Sequence, residues 1–424
     1  FSDPLLEKSV RIDQLHRGGQ IAADLIQLSH YWRHLESIGW AAASPRIGGL
    51  IGVDRLTTSN DPDCVLRCIV WIDLSLRSIP TISKTRPGKQ RLRSPLDRYD
   101  HEFGFRVKLA HAAAQRTDGD APPTVRPIHI SECSHCPWWT TCALQLDPGD
   151  LSLAIDKSPL DAQEIRALRS LGVLSVTNLV AADMTTLLQE YLPLVPHRPD
   201  ADQRLLLARH RAEMLANGIM LERIGTEPPQ VPRAALEIDF DIETSRDDHV
   251  YLWGFLLSKP GSAEPPEYRP FARFGQLGSA TECDLAAVAL GWLAELLDAN
   301  PDSIVYHYSE YETRHIARFS QLVAAGKLLA MPQRFCDLFP IIRANYFGVH
   351  GIGLKQIALH GAGFHWRDSN PGGLASQSWF EEAVQNPDEQ VRAVMAQRLL
   401  EYNEDDTRAT LALREWLSGG GATN

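Results

Sequence analysis

In ALEIDFDIE, residues 236–243 alternate strictly between apolar and acidic side chains. Period-two alternation belongs to a β-strand, whose successive side chains leave on opposite faces. Ile238, Phe240 and Ile242 then share one face, and Glu237, Asp239, Asp241 and Glu243 share the other. A strand so divided must bury one face on a core, and it fixes the register of the sheet around it.

The surrounding pattern extends that sheet. HVYLWGFLL and YRPFARF read as a second and a third strand, joined by short loops into an antiparallel meander. CDLAAVALGWLAELLDA has helical spacing, SIVYHY is a strand, and RHIARFSQLVAAG is a further helix. QRFCDLF is a short strand entering a helix, and DEQVRAVMAQRLLEYNEDDTRATLALREWL closes the chain as one or two helices. The expected fold class is α/β and multidomain. Residues 231–424 form a mixed sheet flanked by helices, residues 151–230 a helical linker domain, and residues 1–150 an α/β module with β-like runs and a helix over LDRYDHEFGFRVKLAHAAAQ. The linker ends in GTEPPQVPR, whose three prolines break any helix.

The acids carry the chemistry. Asp241 and Glu243 are two apart on a strand and leave from one face. Tyr402 and Asp406 are four apart on a helix and stack on one side of it. Glu312 follows the strand SIVYHY at the start of a helix. Hard divalent cations take oxygen ligands, and a pair of them roughly 3.5–4 Å apart serves in-line displacement at phosphorus. Four carboxylates from these places can hold such a pair, and a tyrosine beside the last can orient or deprotonate water. The bland alternative is a solvated acidic strand face and a surface Tyr–Asp pair, with Glu401, Glu404 and Asp405 as further acids on the same helix.

Order and context bring these motifs together. The region resembles the DEDD exonucleases of the ribonuclease H-like fold. IDFDIET resembles their first motif and supplies Asp241, Glu243 and Thr244, with the threonine setting the register against Asp239. HYSEYE resembles the second motif, aligning His307, Tyr308, Tyr311 and Glu312, with Glu where the family usually has Asp. YNEDD resembles the third motif of the tyrosine branch through Tyr402 and Asp406, and the segment around Asp337 and GLKQIA resembles the family's connecting stretch. The resemblance implies Asp241, Glu243, Glu312 and Asp406 as ligands of two Mg²⁺ or Mn²⁺ ions, with Tyr402 orienting water. It also implies 3′-to-5′ exonuclease action on single-stranded ends, DNA ranking ahead of RNA. Asp337 is expected as a helix cap, and His307, Tyr308 and Tyr311 as local packing or hydrogen-bonding groups.

ECSHCPWWTTC places Cys133, Cys136 and Cys142 in a Cys-x₂-Cys-x₅-Cys pattern, a metal clip for zinc or an iron–sulfur cluster, with His135 or another residue completing a zinc site. The spacing resembles the cysteine trio of iron–sulfur RecB-like nucleases, which implies a [4Fe–4S] cluster with a fourth cysteine upstream. Residues 1–63 contain no cysteine, and Cys64 and Cys68 read as buried core. The chain starts at Phe1 rather than Met and reads as beginning partway through a longer protein. Asp54 in IGVDRL and Asp73 in VWIDLSL match the acids of a RecB-like site, but Ser75 stands where that family has lysine. Residues 1–150 are therefore expected to be a degenerate or truncated RecB-like module. Its pairing with a C-terminal ribonuclease H-like domain resembles a bacterial family of RecB-like nucleases.

Phosphate contacts are expected in two places. Between Lys84 and Lys108 stand eight Lys/Arg against three acids, with Lys89, Arg91 and Arg93 as candidate nucleic-acid contacts or simply a solvated face. EIRALRSLGVLSVTNLVAAD resembles a helix-hairpin-helix with Gly172 in a left-handed turn whose amides meet a phosphate, or a plain helical hairpin. Arg204, Arg209 and Arg211 on the next helix either lie along a strand of nucleic acid or are merely wet.

A net charge of −11 excludes a broadly basic duplex-coating surface. Seven cysteines, odd in number, do not suit a disulfide scaffold, and no apolar run approaches the ~20 residues of a membrane span. The expectation is a cytoplasmic protein with nucleic acid as partner and with protein partners in DNA processing. The alternatives are a catalytically inactive nucleic-acid-binding scaffold and an iron–sulfur component of a repair or mobile-element complex.

Overall fold

A computed structural model describes residues 21–58, 61–82, 90–117, 126–130, 132–133, 136–156, 160–369 and 372–422. The chain divides into two compact units, Phe1–Ala154 with Pro159–Leu206, and Ile155–Ser158 with Leu207–Asn424.

In the first unit, an antiparallel pair Ile47–Thr58 and Asp61–Asp73 stands beside the helices Ile21–Ser37 and Pro95–Ala114. Trp32, Leu74 and Leu96 form their shared core. The side chains of Asp54, Cys64 and Cys68 lie outside the described residues, as do Lys84, Arg86, Lys89 and His135. Asp73 is exposed and accepts from the Ser75 amide at 2.8 Å. The helix Ala162–Ser170 starts with a capping box between Asp161 and Glu164, and Gly172 adopts φ +82 in the turn after it. That left-handed turn is the expected one.

The second unit holds the sheet. Its strands are β1 (Leu236–Thr244), β2 (Val250–Ser258), β3 (Glu267–Ala272), β4 (Ser303–His307) and β5 (Phe335–Asp337). They stand in the order β5-β4-β1-β2-β3, antiparallel from β1 to β3 and parallel from β1 through β4 to β5. This is the mixed sheet and meander that the alternation predicts. The helices are α1 (Ser279–Ala299), α2 (Tyr311–Arg318), α3 (Val323–Leu329), α4 (Leu338–Asn345), α5 (Leu354–His360), α6 (Gly373–Gln385) and α7 (Glu389–Ser418). RHIARFSQLVAAG, expected as one helix, is two. The break falls after Phe319, whose side chain turns into the core with Ile316, Ala325 and Leu328.

The apolar face of the sheet packs on α1. Ile238, Phe240 and Ile242 meet Leu290, Leu293 and Leu297, each at most 4% exposed. Burial of each such side chain stabilises the fold by about 1.5–3 kcal/mol. Phe240 stacks on Phe255 across the β1–β2 pair with ring centroids 4.9 Å apart.

The acidic face is buried too, which a solvated strand face would not be. Helix α7, thirty residues long, crosses it. Asp388 caps its start by accepting from the Gln390 amide, and Gly420 ends it at φ +98. Its inward residues Leu399, Tyr402, Asp406, Thr410, Leu413 and Leu417 recur at three and four, the spacing of one helix face. Leucines occupy the ends of that stripe and polar groups its middle, directly over the acids of β1.

Those acids fall into two pairs. Glu237 and Asp239 are fully buried with Arg414 of α7, whose Nε donates to Asp239 Oδ1 at 2.9 Å and whose Nη1 meets Glu237. Arg233 also holds Glu237 at 2.6 Å. A buried charge survives only when paired and hydrogen-bonded, and these two acids are. Asp239 is thereby occupied by a structural cation. Among the described residues, no arginine pairs with Asp241 or Glu243.

Candidate metal centre

Asp241 and Glu243 leave β1 on the face that α7 covers, and Asp406 reaches them from the middle of that helix. One oxygen of each lies within 4.8 Å of the others, the single acidic group of this kind among the described residues. Glu243 and Asp406 are buried and Asp241 is half-buried. All three line a cavity of about 500 Å³, together with Thr244, Tyr311 and Tyr402.

Each carboxylate accepts from a neutral donor. Asn403 Nδ2 donates to Asp241 Oδ2 at 2.7 Å, Ser376 Oγ to Glu243 Oε2 at 2.9 Å, and Trp366 Nε1 to Asp406 Oδ1 at 2.6 Å. Neutral donors orient a carboxylate without cancelling its charge, the usual arrangement behind metal-ligating groups. Lys355 supplies a cation whose field reaches all three.

Glu312 stands apart from this set and faces the same charge. It lies in the first turn of α2, 4% exposed, and its Oε2 has no hydrogen-bond partner among the described residues. The nearest base, His307, is 3.7 Å away, but its Nδ1 is engaged by the Ser309 carbonyl at 2.6 Å and burial lowers its basicity. The loop that delivers Glu312 is pinned. Ser309 sits at φ 82, and its amide donates to Asp337 Oδ1 at 2.8 Å, the same oxygen that caps α4 through the Phe339 amide at 2.9 Å. Asp337 is the expected cap and also the anchor of that turn. Tyr308 donates to the Ile352 carbonyl, and Tyr311 shares a 2.8 Å hydrogen bond with Thr244.

The electrostatics follow from this crowding. Burial, then Asp406, Glu243 and Glu312, hold the Asp241 carboxyl well above its ordinary range. Burial and Asp406 push Glu243 up to about 8, against the opposing hydrogen bond from Ser376. Glu312 is raised by burial and by Asp337 and Asp406, and Asp406 is raised by burial against Lys355. The Tyr402 phenol is driven upward by burial and by Asp406, Glu243 and Asp241, so it keeps its proton. Crowding thus makes these carboxyls hold protons that a divalent cation at the cavity wall would displace. An all-oxygen set of this kind fits hard divalent cations, with room for water and phosphate.

Residues 238–418 match the family model of the RNase H superfamily (RNase_H_2). The C-terminal domain is ribonuclease H-like. The match begins in β1 and ends with α7, so it brackets the elements that carry all three clustered acids. Comparison with curated proteins and with solved structures gave no match.

Among the described residues, the other sequence candidates lie outside this cluster. Cys133, Cys136 and Cys142 are half-buried and free, and their three sulfurs do not all lie within 4.8 Å of one another. Tetrahedral zinc thiolates, at Zn–S of about 2.3 Å, would sit closer than that. Arg91 is exposed and Arg93 half-buried on a short hairpin, and Arg98 and Arg106 flank Glu102 as ion pairs. Around Gly172, the amides of Gly172, Val173, Leu174 and Val176 donate to Arg169, Leu168, Asn178 and Gly149. Spent within the fold, they are not open to a phosphate. Arg204 holds buried Glu164 at 2.6 Å, Arg209 pairs with Glu213, and Arg211 is 8% exposed.

Sequence reading alone missed Lys355, Ser376, Trp366 and Asn403. Lys355 stands inside the GLKQIA stretch and Asn403 inside YNEDD, so both lay within recognised motifs. No local spacing marks Trp366 or Ser376. Among the described residues, no helix is long and apolar enough to cross a membrane.

Proposed function

We propose that the ribonuclease H-like domain is a divalent-metal-dependent nuclease that hydrolyses phosphodiester bonds. The supporting observation is the convergence of Asp241, Glu243 and Asp406 within 4.8 Å on a cavity wall, each accepting from a neutral donor. With Glu312, these residues would hold Mg²⁺ or Mn²⁺. When bound, the ions supply Lewis acidity toward the scissile phosphate and its attacking water.

The protein's own groups do the positioning. Lys355 Nζ donates to the Tyr402 hydroxyl at 2.5 Å, and that hydroxyl directs its proton toward Asp406. Its remaining lone pair can accept from a water in the cavity. Tyr402 thus orients water as a neutral phenol.

The finer reading is a 3′-to-5′ exonuclease acting on single-stranded ends, DNA ahead of RNA. A cavity of about 500 Å³ supports it. That falls within the ~300–1,000 Å³ of small-ligand pockets and suits a terminal nucleotide better than a duplex. The test is incubation of the full chain with 5′-labelled single- and double-stranded DNA and RNA in Mn²⁺, with Asp241→Ala alongside. A ladder shortening from the 3′ end, absent in the variant, is expected. Cleavage unchanged in Asp241→Ala would remove the site assignment.

A further inference from the structure

We infer that Asn403 is a positioning residue that fixes the Asp241 carboxylate for metal, anchored through its amide oxygen by Tyr268 and admitted to its place by Gly254. The inference rests on the nuclease reading of the same site.

Asn403 follows Tyr402 on α7 and is fully buried. Its Nδ2 donates to Asp241 Oδ2 at 2.7 Å, while its Oδ1 accepts from the Tyr268 hydroxyl of β3 at 2.7 Å. These two partners leave one orientation. An ionised carboxylate only accepts, so the NH₂ end must face Asp241, and a tyrosine hydroxyl can supply the donor that the amide oxygen needs. A flipped amide would set oxygen against oxygen in a buried site.

The space for this side chain comes from a glycine. Gly254 lies opposite Asp241 in the β1–β2 pair, and a Cβ there would stand 1.7 Å from Asn403 Oδ1 and 2.8 Å from its Cγ. Any other residue at 254 displaces the amide, and with it both hydrogen bonds. Three elements besides β1 thus serve one oxygen of Asp241: α7 supplies the donor, β3 anchors the donor's amide oxygen, and β2 leaves the room. With Oδ2 engaged by a neutral donor, the carboxylate is oriented and keeps its charge for a cation.

The experiment measures Mn²⁺ binding to the full chain by calorimetry, with nucleotide release followed in parallel. Asn403→Ala should weaken Mn²⁺ binding by about 10- to 100-fold, the scale seen when a group behind a metal ligand is lost. Tyr268→Phe should weaken it in the same direction by a smaller factor, and it retains the Asn403 packing should Asn403→Ala fail to fold. In an Asp241→Asn background, Asn403→Ala should cost nothing further, because contacting residues couple and a general structural defect would add. Unchanged Mn²⁺ affinity in Asn403→Ala and Tyr268→Phe, or an additive loss in the Asp241→Asn background, overturns the inference. A wild-type protein that binds no Mn²⁺ and cleaves nothing overturns the nuclease reading instead.

Discussion

Lys355 Nζ lies 2.5 Å from the Tyr402 hydroxyl and 4.5 Å from the centroid of its ring, so one ammonium group both positions the phenol and faces the acidic cluster. Its loss should have two separable consequences. Lys355→Met removes the donor that fixes Tyr402, and turnover should fall by about 10- to 100-fold, as for other groups that orient active-site residues. It also removes a field that favours ionised Asp241, Glu243 and Asp406. Those carboxyls would then hold their protons to higher pH, and the acid limb of the pH–rate profile in Mn²⁺ should move upward. A slower enzyme with an unmoved limb would confine Lys355 to holding Tyr402.

Charge crowding also sets stability against function at Asp406. Its carboxyl is buried beside Asp241 and Glu243, and it raises both. Asp406→Asn keeps the size of the side chain while relieving that repulsion. Activity should fall by at least about 10²–10³-fold, the scale for losing an electrostatic group at a reacting centre. The metal-free protein should nevertheless melt at a higher temperature, by roughly 2–4 °C for each kcal/mol of relieved repulsion. Melting curves in EDTA test this, and a lower Tm in the variant would show that the acids do not oppose one another in the folded state.

Much of this was legible in sequence, for definite reasons. Strict alternation in ALEIDFDIE identifies β1 and its two faces, and spacing of three and four identifies α1 and α7, because both patterns report which side chains share a face. Alternation does not say what covers a face. The acids of β1 looked ready for solvent, and the residue that buries and neutralises Glu237 and Asp239 is Arg414, far along the chain. Asn403 was hidden for a related reason. In the polar run YNEDD it is one polar residue among several, and only the packing of α7 over Gly254 gives it a role. The break between α2 and α3 is likewise tertiary, since Phe319 leaves helical geometry to enter the core.

The pH dependence of the metal-free fold has a determined sign. Glu243 has an ordinary carboxyl value of 4.5 and is pushed up to about 8 by burial and Asp406. The folded state therefore keeps a proton that the unfolded chain releases. The stability this contributes is fully present below pH 4.5 and is lost as pH rises through about 8. Divalent ions compete with the same proton. In EDTA, Tm should decline between pH 5 and pH 9, and the increase on adding Mn²⁺ should grow over that interval, roughly as linkage requires. A metal-induced increase that shrinks toward pH 9 would contradict a carboxylate site.

Glu312 offers a test of how many ions the proposed site takes. It stands outside the 4.8 Å group of Asp241, Glu243 and Asp406, yet its Oε2 is buried without a partner and its charge bears on Asp241. An orphaned carboxylate oxygen in that position costs the fold unless a cation meets it. If Glu312 is the ligand that completes a second ion site, Glu312→Gln should lower Mn²⁺ stoichiometry from two to one while the tighter binding step is retained. The Asp337 anchor at Ser309 and the α4 cap are untouched by this substitution, so the loop should keep its place. Calorimetric titration reads the stoichiometry directly. Two ions bound by the variant with wild-type affinities would take Glu312 out of the ligand set and leave Asp241, Glu243 and Asp406 to hold the metal alone.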